Sequence, residues 1–215
     1  MGERTRAVKV ARRYDASGRK AKAQAQHDQI IVIAEQNFLQ QGYAGTTVTT
    51  IADAAGVSVD TIYKTFGGKP GLVRAIRDRA LLGRGPVPAE RRSDQLHDGH
   101  LDGHAIIRAW GALTTEVAPR VGPILLLVRD ASLHDPELGS LLQEMDTQRL
   151  QRMTVNAAHL ANAGHLRSGV DVGAAANILW IYSSPELYEL LVVRQGWALD
   201  RYARFITDAM INALL

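Results

Sequence analysis

Side chains that can bind phosphates or base edges are concentrated in residues 46–66, which combine threonine, serine, tyrosine and lysine with small apolar residues. Gly56 stands where a helix C-terminus needs a left-handed residue. Ser58 can cap the next helix, and Asp60 suits its first turn. The pattern predicts a helix-turn-helix, which presents its second helix to the major groove of DNA. The first helix buries one face, made up of Val48, Ile51, Ala52 and Ala55.

The flanking sequence predicts the helices that hold this motif. Residues 24–41 have an apolar stripe of helical spacing, and Gly42 ends it. Pro70 is acceptable in the first turn of a further helix that runs toward Leu82. We therefore expect a DNA-binding domain over residues 24–80, preceded by a basic arm over residues 1–23.

The motif resembles the N-terminal signature of the TetR family of transcriptional regulators. The resemblance covers roughly residues 24–76, about a quarter of the chain. It implies a dimeric, all-helical repressor of a palindromic operator whose DNA affinity is tuned by a small molecule. The residues that carry it are Thr46-Thr47-Val48, Ile51-Ala52, Ala55-Gly56-Val57-Ser58, Thr61-Ile62-Tyr63, Phe66 and Lys69.

The resemblance also implies roles for single residues. Thr61, Tyr63 and Lys69 match positions that contact phosphates, although Tyr63 is also a candidate packing residue. Asp60 is unusual at its position: it can accept a hydrogen bond from cytosine N4, or it serves only as a first-turn charge. The residues of the motif expected to bind DNA are Thr47, Thr49, Ser58, Val59, Asp60, Thr61, Tyr63, Lys64 and Lys69.

Charge is distributed unevenly along the chain. Residues 1–80 hold 13 Lys and Arg against 7 Asp and Glu, whereas residues 81–215 hold 12 against 15. The basic arm includes Arg19, Lys20 and Lys22, which are expected to follow the DNA backbone. A solvated tail is the alternative interpretation of such a basic run.

Residues 81–215 are predicted to form a larger helical domain for ligand binding and dimerisation. Helices are expected over residues 105–117, 124–133, 135–163, 172–182 and 197–214, with a further helix starting at Ser184-Pro185. Residues 82–101, rich in Gly, Pro and polar residues, are expected to form a linker or loop. No long strand alternation occurs, so the fold class is all-α.

Two functional surfaces are expected in this domain. Its last helices are too apolar for one isolated face each, which favours an intersubunit four-helix bundle, although the same residues could fill the monomer core. The expected dimer contacts are Leu187, Leu190, Leu191, Phe205 and Ile206. The expected pocket residues, for which core packing is the alternative, are Trp110, His134, Met145, His159, Trp180 and Tyr182.

Other functional classes have little support. Enzyme motifs such as Gly-x-Ser-x-Gly or His-Glu-x-x-His are missing, so neither an enzyme nor a cofactor is expected. His100 and His104 could share a helix face as metal ligands, but a solvated loop is preferred and no metal is expected. The lack of cysteine and of an apolar leader predicts a cytoplasmic protein with no membrane partner. The alternative function is an effector-independent, nucleoid-type DNA-binding protein.

Overall fold

The structure is a computed structural model that describes residues 16–85, 87–97 and 101–215, and every regular element in these ranges is helical. The all-α prediction is confirmed. A π-helical segment, Glu189–Arg194, continues from α9. The helices are α1 (Ala16–Gly45), α2 (Val48–Ala55), α3 (Val59–Phe66), α4 (Lys69–Leu81), α5 (Ala89–Gln95), α6 (Gly103–Ser132), α7 (Pro136–Asn162), α8 (Val172–Tyr182), α9 (Pro185–Tyr188) and α10 (Leu199–Leu214).

Local capping signals explain the boundaries of the helix-turn-helix. Thr47 accepts a hydrogen bond from the Thr50 amide at 3.0 Å, which caps α2. Ser58 accepts from the Thr61 amide at 3.1 Å, which caps α3. Gly56 lies between the two helices in the left-handed region, with φ 65°. The predicted Ser58 cap and Gly56 turn are therefore confirmed, and they set the angle at which α3 is presented.

The N-terminal helices share one apolar core. Phe38 of α1, Ile51 of α2, Ile62 of α3 and Leu72 of α4 are fully buried within it. A methyl group on Gly71 would lie 1.5 Å from the Phe66 carbonyl oxygen, so α3 and α4 meet without space for a side chain there. The second and third helices are too short to be stable alone, and this core holds them in place.

The first helix begins earlier than the sequence predicted. It starts at Ala16 rather than near residue 24, so Arg19, Lys20 and Lys22 lie on a helix. Gly42 has φ 74° and ψ 168°, so the regular helix is interrupted at this residue, where the sequence predicted its end. The remaining basic residues of the arm, within residues 1–15, lie outside the described residues.

α6 corrects the predicted organisation of the second domain. The sequence predicted separate helices over residues 105–117 and 124–133, but α6 runs unbroken from Gly103 through Pro119 and Pro123 to Ser132. An internal proline costs roughly 3 kcal/mol. That cost is offset here because α6 packs against α1, α4, α7, α9 and α10. Among the described residues, α6 alone is long and apolar enough to cross a membrane, yet Ile107 and Val128 are fully buried in protein, as in a core helix.

The predicted linker also differs from the structure, because it contains α5. Ala89 and Ser93 of α5 are buried, at 7% and 6% exposure. Arg92 forms an ion pair with Glu116 of α6 at 2.6 Å, and Asp94 forms one with Arg152 of α7 at 2.7 Å. These long-range contacts stabilise a seven-residue helix that local propensity alone does not predict.

The remaining predicted helices are present, and α10 starts at Leu199, two residues later than predicted. Asp135 caps α7 with Pro136 in its first turn, and Ser184 caps α9 with Pro185 in its first turn. Tyr202 and Ile206 of α10 are fully buried against Tyr188 and Ala118. The last helices thus complete the core of a single chain.

Candidate nucleic-acid interface and ligand cavity

The outer surface of α2 and α3 carries most of the residues expected to contact DNA. Tyr63 is 54% exposed, and its hydroxyl is available to a phosphate. Thr49 and Lys64 are exposed, whereas Val59 and Thr61 are partly buried. The exposed surface of α3 thus carries the hydroxyl of Tyr63, the ammonium of Lys64 and the carboxylate of Asp60, while Ile62 is buried.

Four of the expected DNA contacts are occupied by interactions within the motif. The Thr47 and Ser58 hydroxyls serve as helix caps. Asp60 and Lys64 form an exposed (i, i+4) ion pair at 2.7 Å. Such a surface pair contributes less than about 1 kcal/mol. DNA can therefore separate Asp60 from Lys64 at small cost.

Lys69 is positioned differently from a simple surface lysine. Its Nζ donates to the Tyr43 carbonyl at 2.7 Å and to the Thr46 carbonyl at 3.0 Å, and it lies 4.0 Å from the centre of the Tyr43 ring. Burial lowers the pKa of Lys69, while nearby Asp135 opposes that shift. Lysine has three N–H donors, so one remains for a phosphate. Lys69 thus ties the loop before α2 to the start of α4.

The helical part of the basic arm begins beside the motif. Lys20 and Lys22 are exposed on α1, and so is Arg19. Further along α1, His27 stacks on Phe66 of α3 with ring centres 4.9 Å apart. Arg19, Lys20 and Lys22 therefore lie on α1 just N-terminal to the part of the helix that packs against the end of α3.

A cavity of about 620 Å³ lies in the second domain. It is bounded by α4, α5, α6, α7, the α8–α9 region and α10. Leu81 and Leu82 at the end of α4 contribute to its wall. Apolar wall residues include Trp110, Leu113, Val117, Leu125, Met145 and Met153. The volume lies within the range of roughly 300–1,000 Å³ that is typical of small-molecule sites.

The structure places only part of the predicted pocket residues at this cavity. Trp110 and Met145 line it. His134 is exposed in the turn after α6, and His159 stacks on His97 at 4.1 Å. Trp180 lies under Arg149 at 4.5 Å, and Tyr182 contacts Phe205. These four residues were predicted to line the pocket but are not part of the cavity wall. The type of a side chain, aromatic or histidine, does not indicate which side of a helix faces a cavity.

The polar residues of the cavity wall were not predicted from the sequence. Ser93 and Asn156 are buried there at 6% and 4% exposure. The signal available in the sequence was weak: each is a single polar residue within an otherwise helical pattern. Among the described residues, no group of His, Asp and Glu has the arrangement of a metal site; His100 lies outside the described residues.

Comparison with known proteins agrees with the geometry of the helix-turn-helix. Residues 30–76 match the sequence profile described as "Bacterial regulatory proteins, tetR family". The HTH-type transcriptional repressor BepR of Brucella suis biovar 1 (strain 1330) is 25% identical over 199 residues, 91% of this chain and 94% of that protein. The helix-turn-helix region of the chain is therefore similar to that of TetR-family regulators.

Another relative of the chain matches over a shorter length. The HTH-type transcriptional regulator BetI of Paraburkholderia xenovorans (strain LB400) is 30% identical over 114 residues, 52% of this chain. The chain spans about half the length of that relative, since the alignment covers 56% of it. These relatives are named as regulators rather than enzymes.

Solved structures of TetR-family regulators have the same fold. The SmeT–triclosan complex superposes with a TM-score of 0.69 at 23% identity, covering 89% of this chain and 92% of SmeT. NalD, the secondary repressor of the MexAB-OprM multidrug efflux pump in Pseudomonas aeruginosa, gives 0.68 at 20% identity, covering 90% and 98%. The likeness thus includes the second domain.

The C-terminal face of the chain exposes apolar side chains. Leu190 and Phe205 are 51% and 41% exposed, while Leu187 and Leu191 are partly buried. Ile206 is fully buried within the chain. Its prediction as a dimer contact is therefore corrected: it fills the monomer core, the alternative noted for these helices. Ile181 and Val193, which the sequence analysis missed, are 53% and 62% exposed.

Proposed function

We propose that this protein is a homodimeric TetR-family repressor that binds an inverted-repeat operator and releases it when a small molecule occupies the cavity. The observation that carries this proposal is the path of α4. The helix begins at Lys69 beside the helix-turn-helix and ends at Leu81 in the cavity wall. A ligand that prefers one position of α4 therefore biases the position of the DNA-binding surface.

Contacts along α4 support this coupling. Arg74 forms a bidentate pair with Glu144 of α7, with the shortest distance at 2.7 Å, and this pair raises the pKa of Arg74 and lowers that of Glu144. Arg77 donates to Gln148 of α7 at 2.7 Å. Both partners are on the helix that also carries the cavity residues Met145 and Asn156. Movement of α7 around a ligand is thus transmitted to α4 by two polar links.

The DNA surface is proposed to divide into positioning and reading residues. Tyr63, Thr61, Lys69 and the arm residues Arg19, Lys20 and Lys22 bind phosphates. Thr49, Val59, Asp60 and Lys64 face base edges or the adjacent backbone, and Thr47 and Ser58 hold the helix ends that present them.

The proposed dimer uses the exposed C-terminal face, named here as Ile181, Leu190, Val193 and Phe205. Two copies place two α3 helices on half-sites whose centres are about 34–36 Å apart, one turn of DNA, or somewhat more. BepR is named a repressor, and the SmeT structure holds triclosan. Both names support repression and small-molecule binding as the mode of action, and we propose that the protein is cytoplasmic and not an enzyme.

The test is a footprint on DNA flanking the gene, followed by calorimetry of effector binding with and without operator. Protection of an inverted repeat is expected, and operator and effector should weaken each other by the same factor. Sequence-independent shifts of unrelated DNA would instead identify an effector-independent, nucleoid-type protein. Identical effector affinities with and without operator would eliminate allosteric release.

A further inference from the structure

One cationic side chain lies in the middle of the cavity wall that α7 contributes. Arg149 is four residues after Met145 and four residues before Met153, and all three line the cavity. Residues at such spacing share one face of a helix, so Arg149 leaves α7 on its cavity side, between two methionines. The wall residues that recur at steps of three or four along this face are Leu142, Met145, Arg149, Met153 and Asn156.

The guanidinium of Arg149 is held against α8 on the side away from the cavity. It lies 4.5 Å from the centre of the Trp180 ring. Trp180 is not one of the wall residues, so its ring lies behind Arg149 as seen from the cavity. Nη1 donates to the Trp180 carbonyl and reaches the Ser183 hydroxyl at 3.4 Å. These contacts fix the guanidinium before a ligand arrives, which lowers the entropy cost of binding to it.

Arg149 keeps hydrogen-bonding capacity that the chain does not use. A guanidinium has five N–H donors, and among the described residues three oxygen atoms accept from Arg149. Nη2 donates to Asp146 at 3.3 Å, and no described residue accepts from Nε. Nε is nevertheless not one of the fully buried side-chain atoms without a partner, so water reaches it. Nε and Nη2 form one edge of the guanidinium, and such an edge can bind a carboxylate through two parallel hydrogen bonds.

The charge of Arg149 is less completely neutralised than that of Arg152, the other partly buried cation of α7 in the wall. Arg152 is 2.7 Å from Asp94. Arg149 is 3.3 Å from Asp146, and the Arg149 side chain is 17% exposed against 45% for Asp146. Burial lowers the pKa of Arg149, and Asp146 and Glu186 oppose that shift only in part. An anion at Nε would therefore compensate a cation that the fold leaves partly desolvated.

The acidic residues of the wall are more accessible to water than Arg149. Asp78, Glu90 and Glu186 are exposed, and Asp146 is half-exposed. Water screens an ion pair at such positions, so a cationic ligand group would gain little from them. Attraction to a charge that is withdrawn from water is stronger. The wall therefore favours an anion over a cation.

We infer that the cavity binds an amphipathic monoanion whose carboxylate accepts hydrogen bonds from Nε and Nη2 of Arg149 and whose apolar body lies against Met145 and Met153. The inference rests on the proposed function in taking this cavity as the effector site. The carboxylate shares Nη2 with Asp146, so Asp146 opposes binding. Gln148, next to Arg149 in the chain, accepts from Arg77 of α4. The anion is thus recognised on the helix that is bonded to α4.

The experiment compares matched probes on the full-length protein without DNA. Calorimetry at neutral pH and constant salt measures the binding of two pairs of nearly equal shape, biphenyl-4-carboxylate with biphenyl-4-carboxamide and octanoate with octanamide. The cations 4-(aminomethyl)biphenyl and octylammonium complete the set. In at least one pair the carboxylate is expected to bind roughly tenfold or more tightly than its carboxamide, because only the anion forms charge-assisted bonds with Arg149. Carboxamides that bind as tightly in both pairs overturn the inference, as do tighter binding of the cations and binding by no probe.

Substitution of Arg149 assigns the preference to its guanidinium. Arg149→Met should reduce the preference for carboxylate over carboxamide at least about fivefold, because the bidentate partner is lost. Arg152→Met is the matched control: it removes the same charge from the same helix, but from a residue already paired with Asp94. Its preference should stay within about twofold of wild type. An unchanged preference in Arg149→Met, or an equal loss in both variants, contradicts the assignment.

Asp146→Asn distinguishes ligand binding from a purely structural role of Arg149, and it does not require the fold to tolerate loss of the guanidinium. Asp146 is half-exposed, and its substitution removes the anion that competes for Nη2. Carboxylate affinity should therefore rise roughly threefold or more, with carboxamide affinity unchanged. If Arg149 only ties α7 to α8, carboxylate affinity will stay the same or fall, and the inference is wrong.

This test is separate from that of the regulatory proposal. Its readout is the ligand affinity of the free protein, so a chain that binds no operator can still show the preference for carboxylates. Conversely, a confirmed operator together with equal binding of carboxylates and carboxamides overturns the ligand class alone.

Discussion

The two domains differ in how completely their buried polar groups are satisfied. Among the described residues, every buried side-chain polar atom without a partner lies between Ser93 and Tyr202. In the helix-turn-helix region the buried Thr46 hydroxyl has two carbonyl oxygens in reach, at 2.8 and 3.0 Å. The buried Thr46 hydroxyl of the DNA-binding region is therefore satisfied within the chain. The second domain keeps buried polar atoms without a partner in the protein, among them Trp180 Nε1 and Tyr202 Oη.

Glycine substitution should produce the largest difference between the domains. Gly71→Ala places a methyl group 1.5 Å from the Phe66 carbonyl oxygen, so the α3–α4 junction must open. We expect a loss of at least about 3 kcal/mol in stability and loss of operator binding. Gly139→Ala on α7 is the control, because nothing lies within 4 Å and alanine favours the helix. Urea titration would contradict the comparison if Gly71→Ala were as stable as wild type.

Charges on the C-terminal face should separate the chains without unfolding them. The double substitution Leu190→Glu and Phe205→Glu introduces charge at two exposed positions, so we expect the protein to become monomeric. A monomer binds only one half-site at a time, so operator affinity should fall at least about a hundredfold. Leu133→Glu, at a 79% exposed residue outside this face, should leave the dimer intact. Sedimentation of the wild type as a monomer at micromolar concentration would eliminate this surface as an interface. Ile206→Glu should instead unfold the protein, because Ile206 is fully buried.

Lys69→Ala tests whether the DNA-binding domain uses this residue for more than internal support. Removing the ammonium should lower operator affinity roughly tenfold and reduce the salt dependence by about one phosphate contact. Stability should also fall by about 1 kcal/mol, because the Tyr43 and Thr46 carbonyls lose a donor. Tyr63→Phe should weaken binding at all sites alike without changing stability. Equal wild-type and variant affinities at low and high salt would refute the phosphate role of Lys69.

The smallest expected effects concern two ion pairs, Arg92–Glu116 in the second domain and Asp60–Lys64 in the helix-turn-helix. The pKa of Glu116 is lowered from 4.5 to about 2, mainly by the hydrogen bond from Arg92. The pair therefore stabilises the fold fully above about pH 4.5. This contribution to stability is lost as the pH falls toward 2. Glu116→Gln should cost about 1 kcal/mol at neutral pH, with the difference from wild type shrinking in that acidic window. Asp60→Asn, at an exposed pair, should change stability by less than about 0.5 kcal/mol. A Glu116→Gln difference that is independent of pH would contradict this explanation.

Sequence-based prediction was more successful for local features, such as helix ends, than for features of the second domain that depend on tertiary packing. Gly56, Ser58 and Pro136 act on backbone groups a few residues away, so their effects on helix ends are visible in the sequence. Pro119 and Pro123 suggested a break, but the surrounding helices keep α6 continuous. The exposure of Phe205 and the burial of Ile206 are also set by tertiary packing. The cavity wall depends on contacts between helices far apart in sequence, which no local pattern reports.

Because α4 meets α3 in a rigid junction at Gly71, a small change in the angle of α4 produces a large displacement of its end at the DNA-binding surface. At 1.5 Å per residue its 13 residues span about 20 Å, so a rotation of about 5° at Leu81 displaces the Lys69 end by about 2 Å. That displacement is enough to break phosphate hydrogen bonds, whose lengths vary by only a few tenths of an ångström. Because the output depends on the angle of α4, ligands of different shape can give the same response. Effector specificity is therefore free to diverge in evolution while the release mechanism is retained.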